Sequence, residues 1–208
     1  MSAILVVPDE DGAALLDEAR RLAEALGETA EAGADAAESA ESADNPERPS
    51  VVAVAFDGLL DPAALSADVP DETIHVVAEG TDDGAEEGAG DGPFTAGAAG
   101  VSARAAALAE VVRDIREADS GGDDTAGVRV VLLPDTPDGT DLAAATARRL
   151  RTGCVTDCLL RVRDGELSAG RPAYGGRAYA ELDFEREPPV ATLNREALGT
   201  PSKPPDGS

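Results

Sequence analysis

Aromatic residues are nearly missing: they make up 2% of 208 residues, as three Phe and two Tyr, with no Trp. A core without large rings must be built from Ala, Val and Leu. Lysine is almost absent too, since Lys203 is the only one and every other cation of the 17 Lys+Arg is arginine. Against these stand 42 Asp+Glu, for a formal net charge of −25. Nucleic-acid binding needs a cationic stripe that displaces phosphate counterions, and no such stripe occurs. Anionic membrane surfaces are disfavoured for the same reason. No apolar run approaches the ~20 residues that span a bilayer. Ser2–Pro8 is apolar only briefly before turning acidic, without the basic leader of a signal peptide. A soluble, cytoplasmic protein with no nucleic-acid or membrane partner is expected.

Chemically active residues are equally sparse. G-x-G-x-x-G, Walker A, H-E-x-x-H and G-x-S-x-G patterns are all missing. Where a dinucleotide fold carries glycines after its first strand, this chain has Asp9-Glu10-Asp11-Gly12, whose acids repel a pyrophosphate. The single histidine, His75, lies in an apolar strand with no recognisable acid or nucleophile constellation, as a strand residue with a satisfied ring or one at a sheet edge. Cys154 and Cys158 are four apart in GCVTDC. On a regular strand they would share a face, roughly 13 Å apart, too far for a disulfide. With one histidine there is no metal-ligand set. Two buried or half-buried free thiols are expected, and neither a metal nor a catalytic residue.

What is abundant is acid. An Asp/Glu-rich, lysine-poor, Ala/Gly/Arg-rich chain points to a GC-rich genome and a salt-loaded cytoplasm, and hence to a halophilic archaeal source. At ~1 M salt the Debye length is about 3 Å, and self-repulsion of such a surface is largely screened. Dilute buffer should therefore lower the melting temperature steeply. A melting temperature unchanged between low and molar KCl would contradict this expectation.

Apolar runs and helical stripes alternate along the chain. Strands are predicted at Ala3–Val7, Val51–Ala55, Thr73–Ala78 and Val128–Leu133. A helix near Ala13–Leu26 carries Leu15, Ala19, Leu22 and Leu26 on one stripe, with Gly27 as its stop. A second, over Thr95–Ala118, buries Val101, Leu108, Val111, Val112 and Ile115, and Gly121 and Gly122 end that segment. A third carries Leu142, Ala145 and Leu150. A short turn or helix surrounds Pro62–Leu65. Glu28–Pro49 and Glu79–Pro93 read as solvated acidic insertions, although the first part of the former can extend the first helix. This alternation implies an α/β fold: a mostly parallel, Rossmann-like sheet in three α/β/α layers with right-handed crossovers.

From Cys154 onward the pattern changes. CVTDCLLRVR, a turn at Asp164-Gly165-Glu166, GRPAYGGRAYAEL and PPVATL read as strands joined by short turns. In order and spacing, TPDGTDL, VTDCLLRVRDGEL, RPAYGGRAYA and PPVATLNREALG resemble the end of the N-terminal domain of electron-transfer flavoprotein alpha subunits. The resemblance covers most of the chain, closely at the C-terminal end and in outline before it. It departs from the family at Thr140, where Arg is usual, and at Cys158, where an aliphatic residue is usual. It implies an adenine-nucleotide-alpha-hydrolase-like fold over residues 1–199, with a C-terminal β-hairpin extension and a disordered tail at 200–208. The family's flavin-binding domain is expected after that point, where this chain has TPSKPPDGS and ends. The expectation is therefore a scaffold, not an enzyme. It docks a beta-type subunit and supports flavin-based electron transfer while FAD sits on a partner or separate domain.

Two places carry the candidate site residues. The first is the turn Pro134–Asp141, where Thr136, Gly139, Thr140 and Asp141 stand between a strand's carboxyl end and a helix start, with Thr140 as the expected N-cap. In the family's beta subunits this turn resembles part of an AMP site. Here Asp138 and Asp141 oppose a phosphate, and an ordinary capped turn is the competing reading. The second is Arg171-Pro172-Ala173-Tyr174-Gly175-Gly176-Arg177, which the resemblance places near subunit and domain contacts. Arg171, Tyr174, Gly175, Gly176 and Arg177 form either an interface or a bulged hairpin whose arginines pair with Glu166, Glu181 or Asp183. Two other functions stay open: a stand-alone module binding AMP or ATP, and a structural remnant or split-gene subunit.

Overall fold

A computed structural model describes residues 2–9, 12–34, 48–56, 70–76, 100–118, 127–175 and 177–194. Eleven elements follow in chain order: β1 (Ser2–Val6), α1 (Ala13–Ala34), β2 (Ser50–Phe56), β3 (Glu72–Val76), α2 (Val101–Ala118), β4 (Gly127–Pro134), α3 (Pro137–Leu150), β5 (Cys154–Arg163), β6 (Glu166–Ala173), β7 (Ala178–Asp183) and β8 (Val190–Leu193). The strands form one eight-stranded sheet in the order β3-β2-β1-β4-β8-β5-β6-β7. The six strands from β3 to β5 are parallel. β5, β6 and β7 continue as antiparallel hairpins.

The apolar runs explain why the sheet is sandwiched. Ile4 and Val6 face one side of β1 while Ala3, Leu5 and Val7 face the other, and all are buried. A strand apolar on both faces is stable only with a layer on each. α1 covers one face with Leu15, Leu16, Ala19, Leu22, Ala23 and Leu26, as its stripe predicts. α2 and α3 pack side by side on the other, through Leu108, Val112, Leu142 and Ala147. Val101, Val111, Ile115, Ala145 and Leu150 are only half-buried at the margin of that cluster.

Gly27 does not stop α1, which runs on to Ala34. The chain at Arg48 crosses Gly27 so closely that a Cβ there would lie 3.1 Å from the Arg48 Cβ. Glycine serves this approach rather than a cap. The extension of the helix into the acidic stretch holds for residues 28–34. The rest of Glu28–Pro49 up to residue 47, together with Glu79–Pro93, Pro62–Leu65, Gly121, Gly122 and the 200–208 tail, lies outside the described residues.

PPVATL is not a further strand of the hairpin extension. Its Val190–Leu193 is β8, inserted between β4 and β5 and fully buried. Both neighbours run parallel to it, with Val131 opposite Val190 on one side and Cys154 opposite Val190 on the other. The last described strand in the chain is thus a central one. β5 turns into β6 through Asp164 and Gly165, both at positive φ (54° and 81°). This is the two-residue hairpin geometry that Asp-Gly favours, and Glu166 already pairs with Arg163 in the ladder.

Candidate functional site

Chain order along the sheet reverses between β1 and β4, since β1 leads outward to β2 and β3 on one side and β4 lies on the other. Open parallel sheets leave a crevice at the carboxyl ends of such strands. A cleft of about 260 Å³ lies there. Val7, Phe56, Leu133 and Leu142 give it apolar walls, and the start of α3 closes one end. Asp9 and Asp138 line it as well.

Thr136, not Thr140, caps α3. Its backbone is extended (φ −118°, ψ 162°), and its Oγ1 accepts a hydrogen bond from the Gly139 N–H at 3.1 Å. Thr140 lies inside the first turn and donates its N–H to the Thr136 carbonyl at 2.8 Å. Pro137, which lacks an N–H, occupies the first helical position. Among the described residues the Asp138 N–H is then the one first-turn donor left over. Thr136 and Gly139 line the cleft, whereas Thr140 and Asp141 are outside its lining. Gly139 is needed for contact, because a Cβ there would sit 2.1 Å from the Pro134 carbonyl oxygen.

Arg104 is the cleft residue that no motif announced. It projects from the first turn of α2 and is 91% buried by its 9% relative exposure. Its Nε is sealed from solvent and has no hydrogen-bond partner among the described residues, and no ion pair to Arg104 is found among them. A sequence signal did exist: Arg104 stands four residues before Leu108, on the stripe that α2 buries.

Near the cleft, a polar staple joins the ends of β4 and β8 to the irregular part of β5. The Asp135 carboxylate accepts from Thr192 Oγ1 at 2.7 Å and from the Asp157 N–H at 3.2 Å. The Asn194 amide donates to the Asp157 carboxylate. Asp157 is at φ 52°, and the β5–β8 register shifts between Val155 and Cys158. This irregularity inverts the expectation for the cysteines, since a two-residue period holds only on a regular strand. Cys154 is exposed and Cys158 buried. Burial pushes the Cys158 thiol from 9.0 up to about 12, with Cys154, Asp135 and Asp157 adding to the rise and Arg171 opposing it. Desolvation raises the Cys154 thiol also.

The distinctive arginine-rich motif forms the β6–β7 turn. Tyr174 (φ 52°) and Gly175 (φ 65°) are both left-handed, which is uncommon for a tyrosine. Gly176 lies outside the described residues. Tyr174, Tyr179 and Leu182 are the exposed large apolar side chains among the described residues, at 85%, 60% and 37% exposure, and all belong to this hairpin. Arg171 and Arg177 are exposed and form no ion pair among the described residues. Glu181 pairs instead with Arg163 at 3.2 Å. His75 is exposed on β3, the opposite edge strand. No cluster of His, Cys, Asp or Glu among the described residues is arranged to hold a metal. No described helix is long and apolar enough to cross a membrane.

Comparison with known proteins is consistent with this architecture. Protein FixB of Rhizobium meliloti (strain 1021) is 37% identical over 77 residues, which is 36% of this chain and 22% of that protein. The aligned stretch thus spans under a quarter of the curated relative's length. The family model for the electron transfer flavoprotein domain matches residues 63–208, and the chain belongs to that family.

Proposed function

We propose that the chain is the scaffold domain of an alpha-type electron-transfer flavoprotein subunit. In this reading it docks a beta-type subunit through the β6–β7 hairpin, and FAD is carried by a partner or separate domain. The observation that carries the reading is the exposure of Tyr174 and Tyr179, 85% and 60%, at the turn end of one hairpin of an otherwise acidic surface. Tyrosine beside arginines that pair with no described residue is the composition of an interface hot spot. A left-handed tyrosine is held outward at a backbone cost, which suits a contact residue better than a solvated turn. The switch-point cleft supports the cofactor half of the reading. Its volume of about 260 Å³ falls below the ~300–1,000 Å³ common for cofactor pockets. Two of its first-turn N–H groups are spent on Thr136, which also weighs against an AMP or ATP module. The role is one of position, and the redox chemistry belongs to the flavin.

Co-expression with a beta-type subunit tests it. The two chains should co-elute in molar salt, and the isolated chain should be colourless. Tyr174→Ala combined with Tyr179→Ala should weaken the complex by about tenfold or more, as loss of hot-spot side chains does. Separate elution of the wild-type chains, or stoichiometric FAD on this chain alone, would overturn it.

A further inference from the structure

We infer that the switch-point cleft is a binding site for a small monocarboxylate with a compact apolar body, held by Arg104. This inference is independent of subunit docking.

A buried guanidinium with no counter-ion is costly, so structures retain one where a negative group meets it. Arg104 is 91% buried by its 9% relative exposure, lines the cleft, and has no ion-pair partner among the described residues. It stands four residues along from Gly100, whose carbonyl receives its backbone N–H, and is thus fixed in the first turn of α2. The cleft's second favourable element is the start of α3, where the Asp138 N–H has no partner among the described residues and the helix dipole favours negative charge.

The charge count decides which anion fits. Arg104 contributes one full positive charge and the helix start about half of one. Asp9 and Asp138 line the same cleft. With about +1.5 against about −2, the cleft carries no surplus positive charge. An anion is therefore held only by direct contact with the guanidinium, and a phosphate dianion meets about twice the repulsion of a single carboxylate. A single carboxylate matches the guanidinium, which presents paired N–H donors to two oxygens. The rest of the ligand meets Val7, Phe56, Leu133 and Leu142, and about 260 Å³ admits a branched or single-ring body but little more.

The test uses the full chain in molar KCl at fixed ionic strength, with isovalerate, benzoate and inorganic phosphate as probes. Ligand-observed NMR should show saturable binding of isovalerate or benzoate, and melting should rise by a few degrees at saturation. Arg104→Met should lose about tenfold or more in affinity, and Arg104→Lys should retain part of it. Asp138→Asn removes an opposing charge and should tighten carboxylate binding, so the inference stays testable if Arg104→Met fails to fold. It is overturned if neither carboxylate binds saturably, if Arg104→Met binds as well as wild type, if Asp138→Asn weakens binding, or if phosphate binds more tightly than both carboxylates.

Discussion

Gly139→Ala should lower the free energy of unfolding by roughly 3 kcal/mol, an overpacking cost at the upper end of its usual range. The added Cβ would sit 2.1 Å from the Pro134 carbonyl oxygen and 3.1 Å from Thr136 Oγ1. Neither neighbour gives way cheaply. Pro134 ends β4, a buried central strand, and Thr136 is the cap whose Oγ1 the Gly139 N–H reaches. Moving α3 away from β4 stretches that bond, and loss of a threonine cap alone is worth about 1 kcal/mol. Denaturant titration in molar salt measures the difference, with Asp138→Ala as the control on an exposed side chain of the same turn. A loss below about 1 kcal/mol for Gly139→Ala would mean that the turn relaxes and that the close approach is not required.

Stability should also fall as pH rises from about 9 to 12, because of Cys158. Its thiol is held up to about 12 in the folded protein against an ordinary 9.0, mainly by burial. The sign follows from proton counting. Below pH 9 the thiol is protonated in both states and the full stability is present. Between 9 and 12 the unfolded chain releases its proton while the folded chain keeps it, so unfolding becomes easier. At the upper limit the three-unit gap between 9.0 and about 12 corresponds to about 4 kcal/mol. The raised Cys154 thiol acts in the same direction. Few other groups interfere, since the chain has one lysine and two tyrosines. Denaturant titrations from pH 8 to 11 under reductant should show the fall in wild type and a much shallower one in Cys158→Ala. Equal slopes in the two proteins would refute the assignment.

Much of the architecture was legible because its signals are local. Val51–Ala55 and Val128–Leu133 are short apolar runs, and both are interior strands within a residue or two of the expected bounds. Leu15, Ala19, Leu22 and Leu26 face the core as their spacing requires. Asp164-Gly165 specifies its hairpin through the backbone freedom that those two residues allow. The motif order from TPDGTDL to PPVATLNREALG points to the family, and the match over residues 63–208 agrees with it.

The candidate sites were legible only in part. Thr136 and Gly139 belong to the cleft, but Thr140 serves the helix ladder, because the chain enters α3 one turn earlier than the cap residue expected from composition. An arginine in a helix reads as a solvated side chain until its neighbours are known, and its place on the stripe with Leu108 is the one local mark that Arg104 carries.

The sequence by itself determined the alternation of strands and helices, the acid excess that repels polyanions, and the family, since each resides in composition or in residues near one another in the chain. Only the tertiary structure decided that Val190–Leu193 fills the gap between β4 and β5, that Asp157 turns Cys158 inward, and that Arg104 is buried beside β1 and β4. These three depend on contacts between residues tens of positions apart, and local periodicity carries no record of which distant surface a side chain will meet.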